Sequence, residues 1–89
     1  MILKPKLKLL DSGEYAASIH YDPDPGGSKA ALGLSGPTKH PTEKAGRDML
    51  KGKLATSVNG KPENTIEVGG TNYGHDVQKA VDAVPVETP

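Results

Sequence analysis

The stretch KLKLLDSGEYAASIHYD, residues 6–22, decides the fold. Two runs of alternating apolar and polar residues flank the turn formers Asp11, Ser12 and Gly13, and this is the pattern of a β-hairpin. The second run has an apolar face formed by Tyr15, Ala17, Ile19 and Tyr21. We expect this face to meet Leu7 and Leu9 of the first run, so that both apolar faces turn towards the core.

Three lysines lie along the first run of the hairpin, in the segment LKPKLKLL, residues 3–10. Lys4, Lys6 and Lys8 fall on every second position, so a strand places them together on the face away from the leucines. The sequence therefore predicts an open, solvent-facing side of the sheet, on which the lysines are joined by Ser18, His20 and Lys29.

Prolines and glycines interrupt the chain on either side of the hairpin. Pro5 has no amide hydrogen, which predicts that the first strand lies at a sheet edge or pairs only beyond residue 5. The segment DPDPGGS, residues 22–28, is predicted to be a loop. KAALGLS, residues 29–35, follows as a predicted third strand with Leu32 and Leu34 on its inward side.

A helix is predicted to begin within HPTE, residues 40–43. His40 or Thr42 is the expected capping residue, with Pro41 at a tolerated first position. Gly46 and Gly52 each weaken this helix by about 1 kcal/mol relative to alanine, although a glycine on the packed side lets helix and sheet approach closely. The apolar face of the helix is formed by Ala45, Met49, Leu50 and Leu54.

The C-terminal part of the chain supplies one more strand and one more helix. TIEV, residues 65–68, is predicted as the fourth strand. A second helix, capped by Thr71 or Asn72 and ended by Pro85, is predicted from the helical spacing of Tyr73, Val77, Ala80, Val81 and Val84.

The predicted element order is therefore βββαβα. It indicates an α+β fold in which a small antiparallel sheet of three to four strands carries two helices on one face. Residues 1–84 form the predicted single domain, and residues 85–89 a flexible C-terminal tail.

Length and composition restrict the class of protein. The chain has 89 residues, three tyrosines and no Phe, Trp or Cys, so we expect one small, mostly aliphatic core. The lack of cysteine and of a long apolar run favours a soluble, cytoplasmic protein without a signal peptide.

Charge is unevenly distributed along a chain whose formal net charge is zero. Residues 1–61 hold ten basic and six acidic groups, whereas residues 62–89 hold Lys79 against five acidic groups. This split predicts a positive and a negative face on one small body. The plainer alternative is that the charges only keep both halves hydrated.

Motifs for metal, nucleotide and nucleophile chemistry are incomplete. HYDPDPGG, residues 20–27, is not the start of an EF-hand, because Gly26 and Gly33 occupy positions that need ligands. A metal site built from His20, Asp22 and a remote ligand stays open as an alternative. VGGTNYG, residues 68–74, lacks the lysine of a P-loop, and no serine lies in a Gly-x-Ser-x-Gly motif. We expect neither catalysis nor a bound cofactor.

Two segments resemble small modules in which three strands precede a helix. They are GEYAASIHYD, residues 13–22, and KAALGLSGPTKHPTEKAGRDMLKGKLA, residues 29–55. Such modules include the arm-binding domains of phage-type tyrosine recombinases, HicB-like antitoxins and small phage-encoded inhibitors of CRISPR systems. The recombinase modules carry more arginine and aromatic residues on the sheet, and Gly46 departs from an alanine-rich helix. The resemblance implies a binding protein of phage or mobile-element type and assigns no functional residue.

We therefore predict a non-enzymatic interaction protein that binds and modulates or inhibits a larger protein or nucleoprotein partner. Its predicted contact residues are Lys4, Lys6, Lys8, His20, Lys29, Arg47 and Lys51. The alternative is a DNA-binding module that uses the same basic sheet face. Lysines on an edge strand also have a purely protective use against aggregation, and self-association through a sheet edge or the second helix stays open.

Overall fold

A computed structural model describes residues 1–22 and 37–89. In these two ranges the strands are β1 (Ile2–Leu9), β2 (Tyr15–Asp22), β3 (Thr38–His40), β4 (Thr65–Val68), β5 (Thr71–Gly74) and β6 (Val86–Glu87). The helices are α1 (Glu43–Val58) and α2 (Val77–Ala83). The α+β prediction is confirmed, since both helices pack with the sheet around one core. The predicted third strand, residues 29–35, lies outside the described residues.

The sheet is larger than predicted and mixed rather than antiparallel. Its order is β3-β2-β1-β4-β5, and β6 pairs with β1 in addition. The pairs β1/β2, β2/β3 and β4/β5 are antiparallel, whereas β4 and β6 both run parallel to β1. A parallel pairing needs a long crossover, which α1 and α2 supply. The sequence pattern predicts β4 itself but does not indicate which strand of the sheet it pairs with.

The hairpin of β1 and β2 is confirmed in the predicted orientation. Pairing runs without interruption from Ile2 opposite Asp22 to Leu9 opposite Tyr15. The turn is closed by the Leu10 amide, which donates to the Glu14 carbonyl at 2.8 Å, and by Gly13 with a φ of 89°. The inward side chains of the pair are buried, namely Leu3, Leu7, Ala17 and Ile19.

Pro5 does not place β1 at an edge, and the pairing of β1 does not wait until after residue 5. β1 has β2 along its whole length on one side, with Pro5 opposite Ile19. On the other side, β4 pairs with residues 2 and 3, and β6 pairs with residues 7 and 8. The Thr65 amide donates to the Met1 carbonyl at 3.0 Å. Because backbone groups alternate sides along a strand, an amide hydrogen at residue 5 would point between β4 and β6, where none of the described residues pairs with β1.

The start of α1 differs in detail from its prediction. His40 is not a cap, because it ends β3, which pairs with residues 15–17 of β2. Thr42 is the N-cap, and its hydroxyl accepts a hydrogen bond from the Ala45 amide at 3.1 Å. Pro41 precedes this cap instead of occupying the first helical position. The physical reason is that a residue before proline disfavours the helical region, so His40 stays extended.

Helix α1 packs on the sheet through the predicted stripe. Leu50 and Leu54 are fully buried, and Ala45 and Met49 are half-buried. Gly46 is buried where α1 lies against β1, whereas Gly52 faces solvent. The glycine on the packed side therefore allows the close approach that the sequence suggested, and its partner glycine does not take part in it.

The second helix is shorter than predicted, because a hairpin replaces its first turns. Gly69 and Gly70 have φ values of 58° and 84°, which turn the chain back after β4. Residues 71–74 then form β5 instead of a helix start, so neither Thr71 nor Asn72 is the cap. Asp76 is the N-cap, and its carboxylate accepts from the Lys79 amide at 3.1 Å.

The end of the chain adds to the sheet. Residues 85–89, for which a flexible tail was predicted, contain β6, whose Val86 and Glu87 lie opposite Leu7 and Lys8. The core therefore draws on both ends of the sequence. Its buried apolar residues among those described are Leu3, Leu7, Ala17, Ile19, Leu50, Leu54, Val58, Ile66, Val68, Ala80, Val81 and Val84.

Candidate functional site

The three N-terminal lysines lie on the face of the sheet that the helices leave open. Leu3, Pro5 and Leu7 are buried on the helix side of β1, so the residues between them point the other way. Lys6 and Lys8 are exposed, and Lys4 is half-buried. We call Lys4, Lys6 and Lys8 the lysine row. Its members share a face as the sequence predicts.

Strand β2 brings the predicted neighbours beside the lysine row. Lys4 lies opposite His20, Lys6 opposite Ser18, and Lys8 opposite Ala16. Directly opposite residues in an antiparallel pair share a face, so Ser18 and His20 are on the open side. The Ser18 hydroxyl and the His20 Nε2 lie 3.3 Å apart.

Lys39 is a fourth lysine of this face, and sequence reasoning missed it. β3 places Lys39 opposite Ala16, on the outer side of β2 from Lys8. The sequence pattern assigns no strand to residues 38–40 and predicts only that a helix begins within residues 40–43. The signal that could have found it is Pro41, because the residue before proline favours an extended backbone.

Two glutamates from the C-terminal part lie on the same face. The Glu67 carboxylate is 3.6 Å from Lys4 Nζ, and the Glu87 carboxylate is 4.0 Å from Lys6 Nζ. The charge split of the sequence therefore does not separate into two faces here, because β4 and β6 carry acidic residues to the lysine row. The Lys4–Glu67 pair is half-buried and the Lys6–Glu87 pair is exposed. Ion pairs near the surface contribute about 0–1 kcal/mol each, so a partner can displace them at little cost.

The predicted helix residues belong to a different surface. Arg47 is on α1, on the opposite side of the sheet from the lysine row. Its Nη1 donates to the Val81 carbonyl at 2.6 Å, and its Nε donates to Glu43 at 2.9 Å. Arg47 therefore joins the two helices. Lys51 is exposed on the same helix, and Lys29 lies outside the described residues.

The histidines have ordinary local contacts. His40 Nε2 lies 2.8 Å from the Thr38 hydroxyl. His75 Nε2 donates to the Asn64 carbonyl at 2.8 Å. Within residues 1–22 and 37–89 there is no group of three or more His, Cys, Asp or Glu side chains placed to hold a metal. The proposed ligand loop beyond Asp22 is not among the described residues.

Across the described parts of the chain, neither helix is long and apolar enough to cross a lipid bilayer. No protein-family model, curated protein or solved structure matches this chain. The lysine face, which we define as the lysine row with Ala16, Ser18, His20 and Lys39, is the candidate site.

Proposed function

We propose that this protein is a non-enzymatic interaction protein, which uses its lysine face to bind and modulate or inhibit a larger protein or nucleoprotein partner. The observation that carries the proposal is the lysine row itself. The core lies between the helices and the sheet, so its packing does not require lysines on the other side of the sheet. Three lysines nevertheless occupy every second residue of β1 on that side.

The physical basis is electrostatic complementarity. Charged groups on a rigid surface speed the encounter with an oppositely charged partner and fix the register of the complex. β1 is held by strands on both sides, so the lysine stems project from backbone that is fixed by pairing. The resemblance to phage and mobile-element modules supports a regulator or inhibitor of that type.

The test is affinity capture from a lysate of the organism that encodes the protein, with mass spectrometry and with nuclease treatment as a second condition. The decisive variant reverses the charge of Lys4, Lys6 and Lys8 to glutamate. The matched control reverses Lys53, Lys61 and Lys79, which are also exposed and lie off the lysine face. We expect the control to retain the partner and the decisive variant to lose at least about tenfold in affinity. Equal retention by both variants would contradict the proposal.

The DNA-binding alternative rests on the same lysines together with Lys39. Phosphate contacts make affinity fall with salt at a log–log slope of about −0.9 per contact. Four lysine contacts therefore predict a steep salt dependence with duplex DNA, and nuclease would remove the captured partner. If the affinity for duplex DNA depends only weakly on salt and the captured partner survives nuclease treatment, the partner is a protein and the DNA-binding alternative is excluded.

A further inference from the structure

The strand register sets small side chains of β2 between the longer lysine side chains of β1 and β3 on the lysine face. Ala16 has Lys8 directly opposite on β1 and Lys39 directly opposite on β3. Both flanking strands are one strand spacing away, so the two lysine backbones are separated by about 10 Å. The floor between them is made of Ala16 and Ser18, which have small side chains. We call this feature, with Lys6, Lys8 and Lys39 at its sides, the β2 groove.

Two of the three lysines around the β2 groove, Lys8 and Lys39, have no ion pair among the described residues, whereas Lys6 lies 4.0 Å from the Glu87 carboxylate. Lys8 and Lys39 are exposed, and neither has a carboxylate within ion-pair distance in residues 1–22 and 37–89. Glu67 and Glu87 lie across β1 from the groove. Glu14 marks the turn end of β2, where its carboxylate accepts a hydrogen bond from Ser12 at 3.1 Å. The unpaired ammonium groups therefore flank Ala16.

We propose that the β2 groove binds a carboxylate-rich, extended segment of a protein partner, an inference that rests on the proposed function. Lys6 and Lys8 are two residues apart on β1, which is about 7 Å along the strand. Side chains two residues apart on an extended segment have the same spacing, so alternate Asp or Glu residues match these lysines. Lys39 holds the segment from the other side.

A protein segment fits this groove better than a nucleic acid. Single-stranded nucleic acids are bound by aromatic side chains on which bases stack. The three tyrosines, Tyr15, Tyr21 and Tyr73, pack against the core instead of lying on the lysine face. The column formed by Glu67 and Glu87 repels phosphates and carboxylates alike, so the lack of a stacking aromatic side chain, and not this column, distinguishes the two classes of ligand. For a protein segment, the column would fix the register by repelling misplaced carboxylates.

The binding test uses the ¹⁵N-labelled protein and two probes of equal charge, a hexaglutamate peptide and a single-stranded oligothymidylate. We expect the peptide to shift the backbone amide signals of Ala16, Ser18 and Lys39 at low salt. The oligonucleotide should bind more weakly. No binding of the peptide, shifts confined to other parts of the protein, or tighter binding of the oligonucleotide to these residues would each overturn the inference.

Two double variants assign the binding to the groove. Lys8→Ala with Lys39→Ala should weaken peptide binding about fivefold to twentyfold, because each exposed lysine contributes a small factor. Lys53→Ala with Lys79→Ala removes the same charge elsewhere and should change it less than about twofold. If the two double variants weaken peptide binding equally, only net charge matters, and the proposal that the β2 groove binds the peptide is wrong.

A substitution on the floor gives an independent readout. Ala16→Glu places a carboxylate between Lys8 and Lys39, so it occupies the site that the peptide would use. We expect peptide binding to be lost while the melting temperature stays equal or rises, because cross-strand pairs of opposite charge are stabilising. Ala16→Gln has the same size without the charge and should keep most of the binding. Loss of binding in both variants to the same extent would contradict the inference.

Failure of the groove and failure of the proposed function are distinguishable. If reversal of the lysine row releases the captured partner but Lys39→Ala and Ala16→Glu do not, the interaction protein stands and the groove is wrong. If none of these variants affects the captured partner, both are wrong.

Discussion

Gly46 lies so close to Leu7 that a Cβ atom added to the glycine would be 2.9 Å from Cδ1 of Leu7, closer than real Cβ atoms sit. Leu7 is fully buried between the sheet and α1, so it has little room to move aside. This contact sets how near the helix lies to β1, and β1 carries the lysine row on its other side.

The two glycines of α1 should therefore respond differently to alanine. Gly52→Ala should stabilise the protein by about 1 kcal/mol, since Gly52 has open space around it and alanine favours the helix. Gly46→Ala gains the same helix propensity but overpacks the core at a cost of about 1–3 kcal/mol. Urea unfolding measures both. Equal stabilisation by the two substitutions would show that Leu7 repacks freely.

The N-cap of α1 offers a second matched pair. Thr42→Ala removes the acceptor for the Ala45 amide and should cost about 1 kcal/mol of the free energy of unfolding. Thr56→Ala removes an exposed hydroxyl that bonds the Gly52 carbonyl within the helix. Alanine is the better helix former there, so stability should stay equal or rise by about 0.5 kcal/mol. Urea unfolding should therefore show a loss of stability for Thr42→Ala and none for Thr56→Ala, and a larger loss at Thr56 would contradict this account.

The buried amide of Asn64 ties the end of α1 to the start of β4. Its Nδ2 donates to the Ser57 carbonyl at 2.8 Å, and the residue is 4% exposed. Asn64→Ala leaves that carbonyl without this donor and should cost about 1–3 kcal/mol. Asn72→Ala, at an exposed site, should cost less. Thermal melts compare the stability of the two variants. A larger loss of stability for Asn72→Ala than for Asn64→Ala would show that the Asn64 hydrogen bond contributes little.

The acidic column beside the lysine row should weaken binding of acidic partners. Glu67→Gln with Glu87→Gln removes one half-buried and one exposed ion pair at the surface, so the free energy of unfolding should change by less than about 1 kcal/mol per pair. The affinity for hexaglutamate should rise about twofold to tenfold, because two like charges leave the lysine face. Glu63→Gln with Asp82→Asn removes the same charge elsewhere and is the control. A rise of the same size in the control would assign the effect to net charge.

Local pattern was enough to predict the hairpin, α1 and β4. Alternation of leucine with lysine and of tyrosine with small residues set the faces of β1 and β2, because one side had to be buried. The stripe of Leu50 and Leu54 likewise placed α1. These features depend on spacing alone.

The rest of the fold depends on contacts that spacing does not encode. Tyr73 and Val77 fit a helical period, but Gly69 and Gly70 adopt a left-handed turn that directs residues 71–74 into β5. Lys39 reached the lysine face because β3 pairs with β2, a tertiary choice for a three-residue segment. Glu67 and Glu87 lie on that face because β4 and β6 pair in parallel with β1. No local sequence pattern predicts this pairing.

The central position of β1 has a consequence for how the protein is made. Residues 2 and 3 find their parallel neighbour at residues 65 and 66, and residues 7 and 8 find theirs at 86 and 87. The β1–β2 hairpin joins neighbouring parts of the chain and can form early, but the other side of β1 stays unpaired until β4 and β6 have been made and have crossed over to it. Pairings so distant along the chain close slowly, and a nascent chain with an unpaired strand edge is exposed to association with others. We therefore expect these two parallel pairings, and not the hairpin, to limit the rate of folding.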